Sequence, residues 1–255
     1  MALIILLALA AVACQSVKAD PDAVSLTRTI YDELRLGQEA TLAAHASAAM
    51  QRPQAAAQFA KLRGVLPPGE PRSMKVVGQA VRDIPGKGRI EALSLEYDYG
   101  AAKTLFQTRL FRAQGAQDWR VVAFNLRVAS AKELAVNRLS PVGKSPLQYI
   151  YLALALSSPL MMLAALVKVL RTPGLTYKWA WAPLCFVGLI GFQQNWATGQ
   201  TLVVWNSVQV FGPWLSNTGS AFDPWFITAT VPLIALLVLG GVLANPPRAG
   251  AKAAV

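Results

Sequence analysis

Apolar positions along the chain follow three periods in turn. From Asp20 to Gly64 the spacing is helical. Asp20-Pro21 opens the first helix with an N-cap acid and a proline at the first helical position. Leu26, Ile30 and Leu34 follow at four-residue steps with Tyr31 beside them, and Gly37 supplies a stop. An alanine-rich second helix is predicted over 39–50, with Leu42 and Met50 as its larger apolar residues. Pro53 introduces a third over 54–62, ended by Gly64. Leu66-Pro67-Pro68-Gly69-Glu70-Pro71 then breaks all periodicity.

From Met74 the period is two, and four strands are predicted. In the first, Lys75, Val77, Gln79 and Val81 alternate with Val76, Gly78 and Ala80. In the second, Leu93, Leu95, Tyr97 and Tyr99 share one face, with Ser94, Glu96 and Asp98 on the other. The third, 104–112, sets Phe106 with Leu110. The fourth, 119–128, sets Val122, Phe124, Leu126 and Val128 on one face and Trp119, Val121 and Ala123 on the other. Turns at Pro85-Gly86, Gly100 and Gln114-Gly115 make the set an antiparallel meander, and helices followed by sheet is an α+β order.

The third pattern is long apolar runs. Residues 147–167, LQYIYLALALSSPLMMLAALV, hold about twenty residues without a charge, enough for one bilayer crossing. Two further runs, 179–196 and 225–244, predict a second and a third transmembrane helix. The fold class expected is therefore α+β: N-terminal helices packed on a four-stranded curved antiparallel sheet (20–128), a juxtamembrane linker (129–146), and an all-α membrane region of three transmembrane helices. Pro159, after Ser157-Ser158, sits mid-run as a kink or packing notch. The uncharged stretch 197–223 is expected to be a loop lying in the interface.

The N-terminal residues 1–13, MALIILLALAAVA, read as an export signal: a short apolar core ending in the small residues Ala11-Val12-Ala13. With Cys14 these residues also look like a bacterial lipobox, which makes Cys14 a lipidation candidate. Export agrees with the charges. The segment after the first run carries Lys168, Arg171 and Lys178, the loop up to Pro224 carries no Lys or Arg, and the 245–255 tail carries Arg248 and Lys252. By the positive-inside rule the tail is cytoplasmic and the 20–128 domain lies outside. The expected location is a bacterial inner membrane with the domain in the periplasm.

Composition narrows the chemistry. The net charge is +11, and residues 15–144 hold 19 Lys and Arg against 12 Asp and Glu. A basic domain beside a membrane suits anionic headgroups or an acidic protein partner. Nucleic acid is excluded, because no basic run is interleaved with aromatics. His45 is the sole histidine, so no multi-histidine metal site can form, and no phosphate loop, nucleophile elbow or zinc motif occurs. No cofactor, metal or catalytic residue is expected. His45, Glu96 and Asp98 are the only groups in the domain read as acid or base candidates. Leu93, Leu95, Tyr97 and Tyr99 form the face on which a small ligand would sit.

This element order resembles the cystatin-like and nuclear-transport-factor-2-like folds. It also looks like bacterial secreted domains of unknown function whose strands end in a W-R-V-V-x-F segment, here Trp119-Arg120-Val121-Val122-Ala123-Phe124. The resemblance spans about residues 22–128 and implies a fold without an activity. The function expected first is a membrane-anchored envelope protein with a non-catalytic interaction or accessory domain, its partner another envelope protein. A small-ligand or lipid-binding domain is the second expectation, and an enzyme of the cone-shaped fold the third.

Overall fold

The computed structural model describes residues 19–47, 55–175, 177–205 and 208–241. The export signal, Cys14 and the 245–255 tail lie outside the described residues. Two compact units divide between Glu133 and Leu134, within the expected linker.

In the first unit α1 (Pro21–Leu36) starts where the sequence places it. The Asp20 carboxylate accepts from the Asp22 N–H at 3.0 Å, and Gly37 closes the helix at φ 74°. The buried stripe is Ala23, Thr27, Ile30, Tyr31 and Leu34. Leu26, expected in it, is only partly buried. α2 (Glu39–His45) is shorter than expected, and α3 is Ala55–Gly64.

Strands β1 (Ser73–Ile84), β2 (Gly88–Asp98), β3 (Ala102–Ala113) and β4 (Arg120–Ser130) form one antiparallel meander in sequence order. The helices pack on the face carrying Leu93, Leu95, Tyr97, Phe106 and Leu110. Two bulges reset the alternation. In β1, Val77 is the extra residue between the Val76–Leu95 and Gly78–Ser94 pairs. Met74, Val76, Gln79 and Val81 therefore share the inner face, and Lys75 faces out. In β4, Val122 is the extra residue between the Ala123–Arg109 and Val121–Leu110 pairs. Val121, not Val122, is thus buried with Trp119 and joins Phe124 and Leu126 on the inner side. Strict alternation placed Val121 and Trp119 on the opposite face. One inserted residue shifts every side chain on one side of it to the other face.

The second unit overturns the expected all-α membrane region. Among the described residues, one helix is long and apolar enough to span a bilayer: α5 (Pro146–Arg171), which follows the short α4 (Ala131–Leu134) and covers the 147–167 run. The predicted second crossing, 179–196, is instead α6 (Lys178–Leu184), β5 (Val187–Gly188) and β6 (Ile190–Asn195). The predicted third crossing, 225–244, begins with β10 (Phe226–Val231) and α7 (Leu233–Leu239). Between them the expected loop contains β7 (Thr201–Val204), β8 (Gln209–Val210) and β9 (Trp214–Ser216). β7, β6, β10 and β9 make a four-stranded sheet in that order, and β5 pairs with β8.

The cause is local. Ile227-Thr228-Ala229-Thr230-Val231 is dominated by β-branched residues, which favour strand over helix. Pro183 and Pro232 interrupt both runs, and Gly188 and Gly191 lower helix propensity further. Gly188 is also sterically required, since a Cβ there would lie 2.4 Å from the Thr230 side chain. Buried Gln194, Thr228 and Thr230 then sit in a strand layer whose backbone groups are paired by β6 and β10.

Candidate functional site

The inner sheet face of the first unit is filled by its own side chains. Leu93, Leu95 and Tyr97 are buried, and Tyr99 is half-buried. Tyr31 of α1 stacks on Tyr97 with ring centroids 3.7 Å apart and planes 10° from parallel. Its hydroxyl meets that of Tyr99 at 2.6 Å. Phe106 closes the cluster at 5.3 Å from Tyr31 and 5.6 Å from Phe124, which in turn stacks on Phe59. Burial raises the Tyr31 and Tyr97 phenols well above their ordinary value. Both rings stay neutral and act as packing.

The three acid or base candidates are not brought together. Glu96 and Asp98 lie on the outer face of the sheet, away from the helices. The Lys103 ammonium sits between them, 3.0 Å from Glu96 and 3.1 Å from Asp98, with Lys75 at 3.5 Å from Glu96. The Gly100 N–H donates to Asp98 at 2.7 Å, and this bond with Lys103 holds the Asp98 carboxyl below its usual range. Glu96 and Asp98 thus form an ion-pair network with Lys75 and Lys103. His45 is on the helix side, its Nε2 3.5 Å from Glu33 Oε1.

Sequence reasoning passed over two buried carboxylates between the helices and the sheet, Glu33 and Glu91. Glu33 is buried on α1, and desolvation raises its carboxyl against the opposing effect of His45. Glu91 shares the strand face of Leu93 and is fully buried. Its Oε1 accepts from Gln79 Nε2 at 3.0 Å and from the Asp20 N–H at 3.2 Å. Parity with Leu93 was the available signal for Glu91. The β1 bulge that turns Gln79 toward it left no mark in the sequence.

Two clefts open beside these groups. One, about 480 Å³, is bordered by His45, Asp22, Asp118, Trp119 and Arg120. The other, about 560 Å³, runs between α1 and the edge strand β1, along Val24, Arg28, Met74, Val76 and Gln79. None of Leu93, Leu95, Tyr97 or Tyr99 borders either. No cluster of three or more His, Cys, Asp or Glu side chains suited to a metal occurs among the described residues.

In the second unit the distinctive surface belongs to α5. Ser145 and Gln148 form a reciprocal capping box at its start. Gln148 Nε2 also donates to the Trp196 carbonyl at 2.8 Å. One turn on, the Tyr151 hydroxyl shares its single proton between the carbonyls of Phe192 (2.5 Å) and Ile227 (3.0 Å), and Ser158 Oγ donates to Thr230 O at 3.1 Å. The inward row is Gln148, Ala155, Ser158, Met162, Ala165 and Val169, mostly small or polar and spaced three or four apart from Ala155 on. The large apolar side chains point away. Leu154 is 64% exposed and Leu160 66%, with Ile150, Leu156, Leu163 and Leu170 alongside. Only 22% of the apolar stretch is buried. A core helix of a water-soluble domain shows the reverse arrangement, with its large apolar side inward.

Comparison with protein-family models, curated proteins and solved structures returned no match.

Proposed function

We propose that the chain is a membrane-anchored envelope protein whose first unit is a non-catalytic interaction or accessory module outside the membrane. The observation that carries the reading is the polarity of α5: large leucines outward, small and polar side chains against its own unit. That division suits a helix whose outer solvent is lipid, where close packing through small residues and internal hydrogen bonds replaces hydrophobic burial. At 26 residues, α5 is about 39 Å long, more than the roughly 30 Å a hydrocarbon core requires.

The strand layer bonds to the N-terminal half of α5 through Gln148, Tyr151 and Ser158, and its exposed Trp205 and Trp214 suit the headgroup boundary, as interfacial aromatics do. The C-terminal half of α5 packs instead on α7, Met162, Ala165 and Val169 meeting Ala235 and Val238. The location is a bacterial inner membrane, with the first unit in the periplasm and the Lys168–Lys178 end of α5 on the cytoplasmic side.

A reporter active only in the periplasm, fused after Lys144, tests the topology and is expected to be active. Silence there overturns it. For the partner, gentle detergent extraction and native mass spectrometry of the full chain are expected to retain an envelope protein.

A second reading, a small apolar ligand held by the first unit, is favoured by the groove between α1 and β1, whose walls are mostly Val24, Met74, Val76 and Ala19. Retention of a small molecule in the same spectrum, lost in V76W, would select it.

A further inference from the structure

We propose that the C-terminal end of α5 is a binding site for the phosphate headgroup of an anionic phospholipid. The inference rests on the membrane reading above and adds the class of lipid. Its basis is a cation cluster without a counter-charge. Residues 134–255 contain seven Lys and Arg but one acid, Asp223, whose Oδ2 is already bonded by the Thr218 hydroxyl at 2.6 Å. Three of the seven, Lys168, Arg171 and Lys178, fall within eleven residues at one end of the helix. None of the three forms an ion pair with a described residue.

The cluster is built rather than loosely displayed. Lys168 Nζ donates to the Leu239 carbonyl at 3.0 Å, tying the end of α5 to the end of α7. Lys178 Nζ donates to the Leu170 carbonyl at 3.1 Å, tying the start of α6 back to the last turn of α5. The Thr172 hydroxyl caps Lys168 O at 2.7 Å. These bonds suit the negative end of the helix dipole. They use one N–H of each ammonium and leave two, and the Arg171 guanidinium adds its own donors. Beside the cations, Tyr177 and Trp179 are 81% and 89% exposed, and Leu170 and Val167 continue the apolar surface where acyl chains would lie. Donors above an apolar wall, with aromatic rings at the boundary, match a lipid phosphate. Net negative charge is what separates a phosphatidylglycerol headgroup from a zwitterionic one that carries its own ammonium.

The test places the full chain in nanodiscs of mixed phosphatidylcholine and phosphatidylglycerol, released for native mass spectrometry. The wild type is expected to retain phosphatidylglycerol above its share of the disc, and less at 1 M salt. K168Q/R171Q/K178Q is expected to lose that enrichment, by about fivefold per cation removed. The charge-conserving K168R/R171K/K178R is expected to keep it. Absence of enrichment in the wild type overturns the proposal. So does an equal loss in R138Q/K144Q, which would make it an effect of net charge alone. If the glutamine variant does not fold, the wild-type enrichment and its salt response decide. Failure of the membrane reading would look different: the wild type would not enter discs of phosphatidylcholine alone.

Discussion

Tyr31 lies flat on Tyr97, 3.7 Å between centroids, and so joins α1 to the centre of the sheet. Both rings are fully buried, and the Tyr31 hydroxyl bonds to Tyr99 at 2.6 Å. The stack separates packing from hydrogen bonding. Tyr31→Phe keeps the ring and loses one hydroxyl contact, at a cost of about 1 kcal/mol. Tyr31→Ala also opens a cavity against Tyr97 and Phe106 and should cost about 3–5 kcal/mol. Denaturant unfolding of the full chain in detergent, followed for the first unit, should rank them in that order. Equal costs would mean that the stack contributes nothing.

Glu33 gives the first unit a pH dependence. Its carboxyl is raised, chiefly by desolvation. A raised acid contributes stability that is fully present below its unfolded value and is lost as pH rises through its folded value. Glu33→Gln cannot titrate. Its stability relative to the wild type should therefore increase from pH 4 to pH 7. A difference in unfolding midpoint that stays flat over that range would contradict the raised carboxyl.

The β4 bulge makes neighbouring valines unequal. Val121 is buried, whereas Val122 is exposed. Val122→Lys should change stability by no more than about 0.5 kcal/mol. Val121→Lys forces an ammonium toward Trp119 and Leu110 and should prevent the first unit from folding. The opposite ranking would restore the unbulged register.

Lipid contact along α5 predicts a charge sensitivity. Leu154→Arg and Leu160→Arg each place a cation on the outward face, costing about 2.5–3.5 kcal/mol at the centre of a spanning helix. The double variant should move the protein from the carbonate-resistant membrane fraction to the soluble or aggregated one. If it stays membrane-bound, that face does not meet lipid.

Gln148 ties the start of α5 to the strand layer. Gln148→Leu leaves the Trp196 carbonyl without its donor and should cost about 1–3 kcal/mol. Ser145→Ala removes only the helix cap and should cost about 1 kcal/mol. Thermal unfolding in detergent is expected to place Q148L below S145A.

The sequence by itself determined whatever depends on neighbours along the chain. Asp20-Pro21 and Gly37 bounded α1, because capping is set within a few residues. The glycine turns spaced the four strands, and antiparallel strands joined by short turns pair in order. The 147–167 run became α5 because its leucines, alanines and methionines favour helix over most of its length, despite Pro159 within it. The tertiary structure decided what depends on partners distant in sequence. Val77 and Val122 became bulge residues, exchanging the faces of Gln79 and Val121, because pairing partners absorbed an extra residue that no local signal marks. Glu91 was drawn into the core by Gln79 and the Asp20 amide. The runs 179–196 and 225–244 looked long and apolar enough to be helical, yet Ile190–Asn195 in one and Phe226–Val231 in the other supplied each other with a strand partner. Their backbone groups could be satisfied across the ladder as well as along a helix, and β-branched Ile227, Thr228, Thr230 and Val231 tipped that balance.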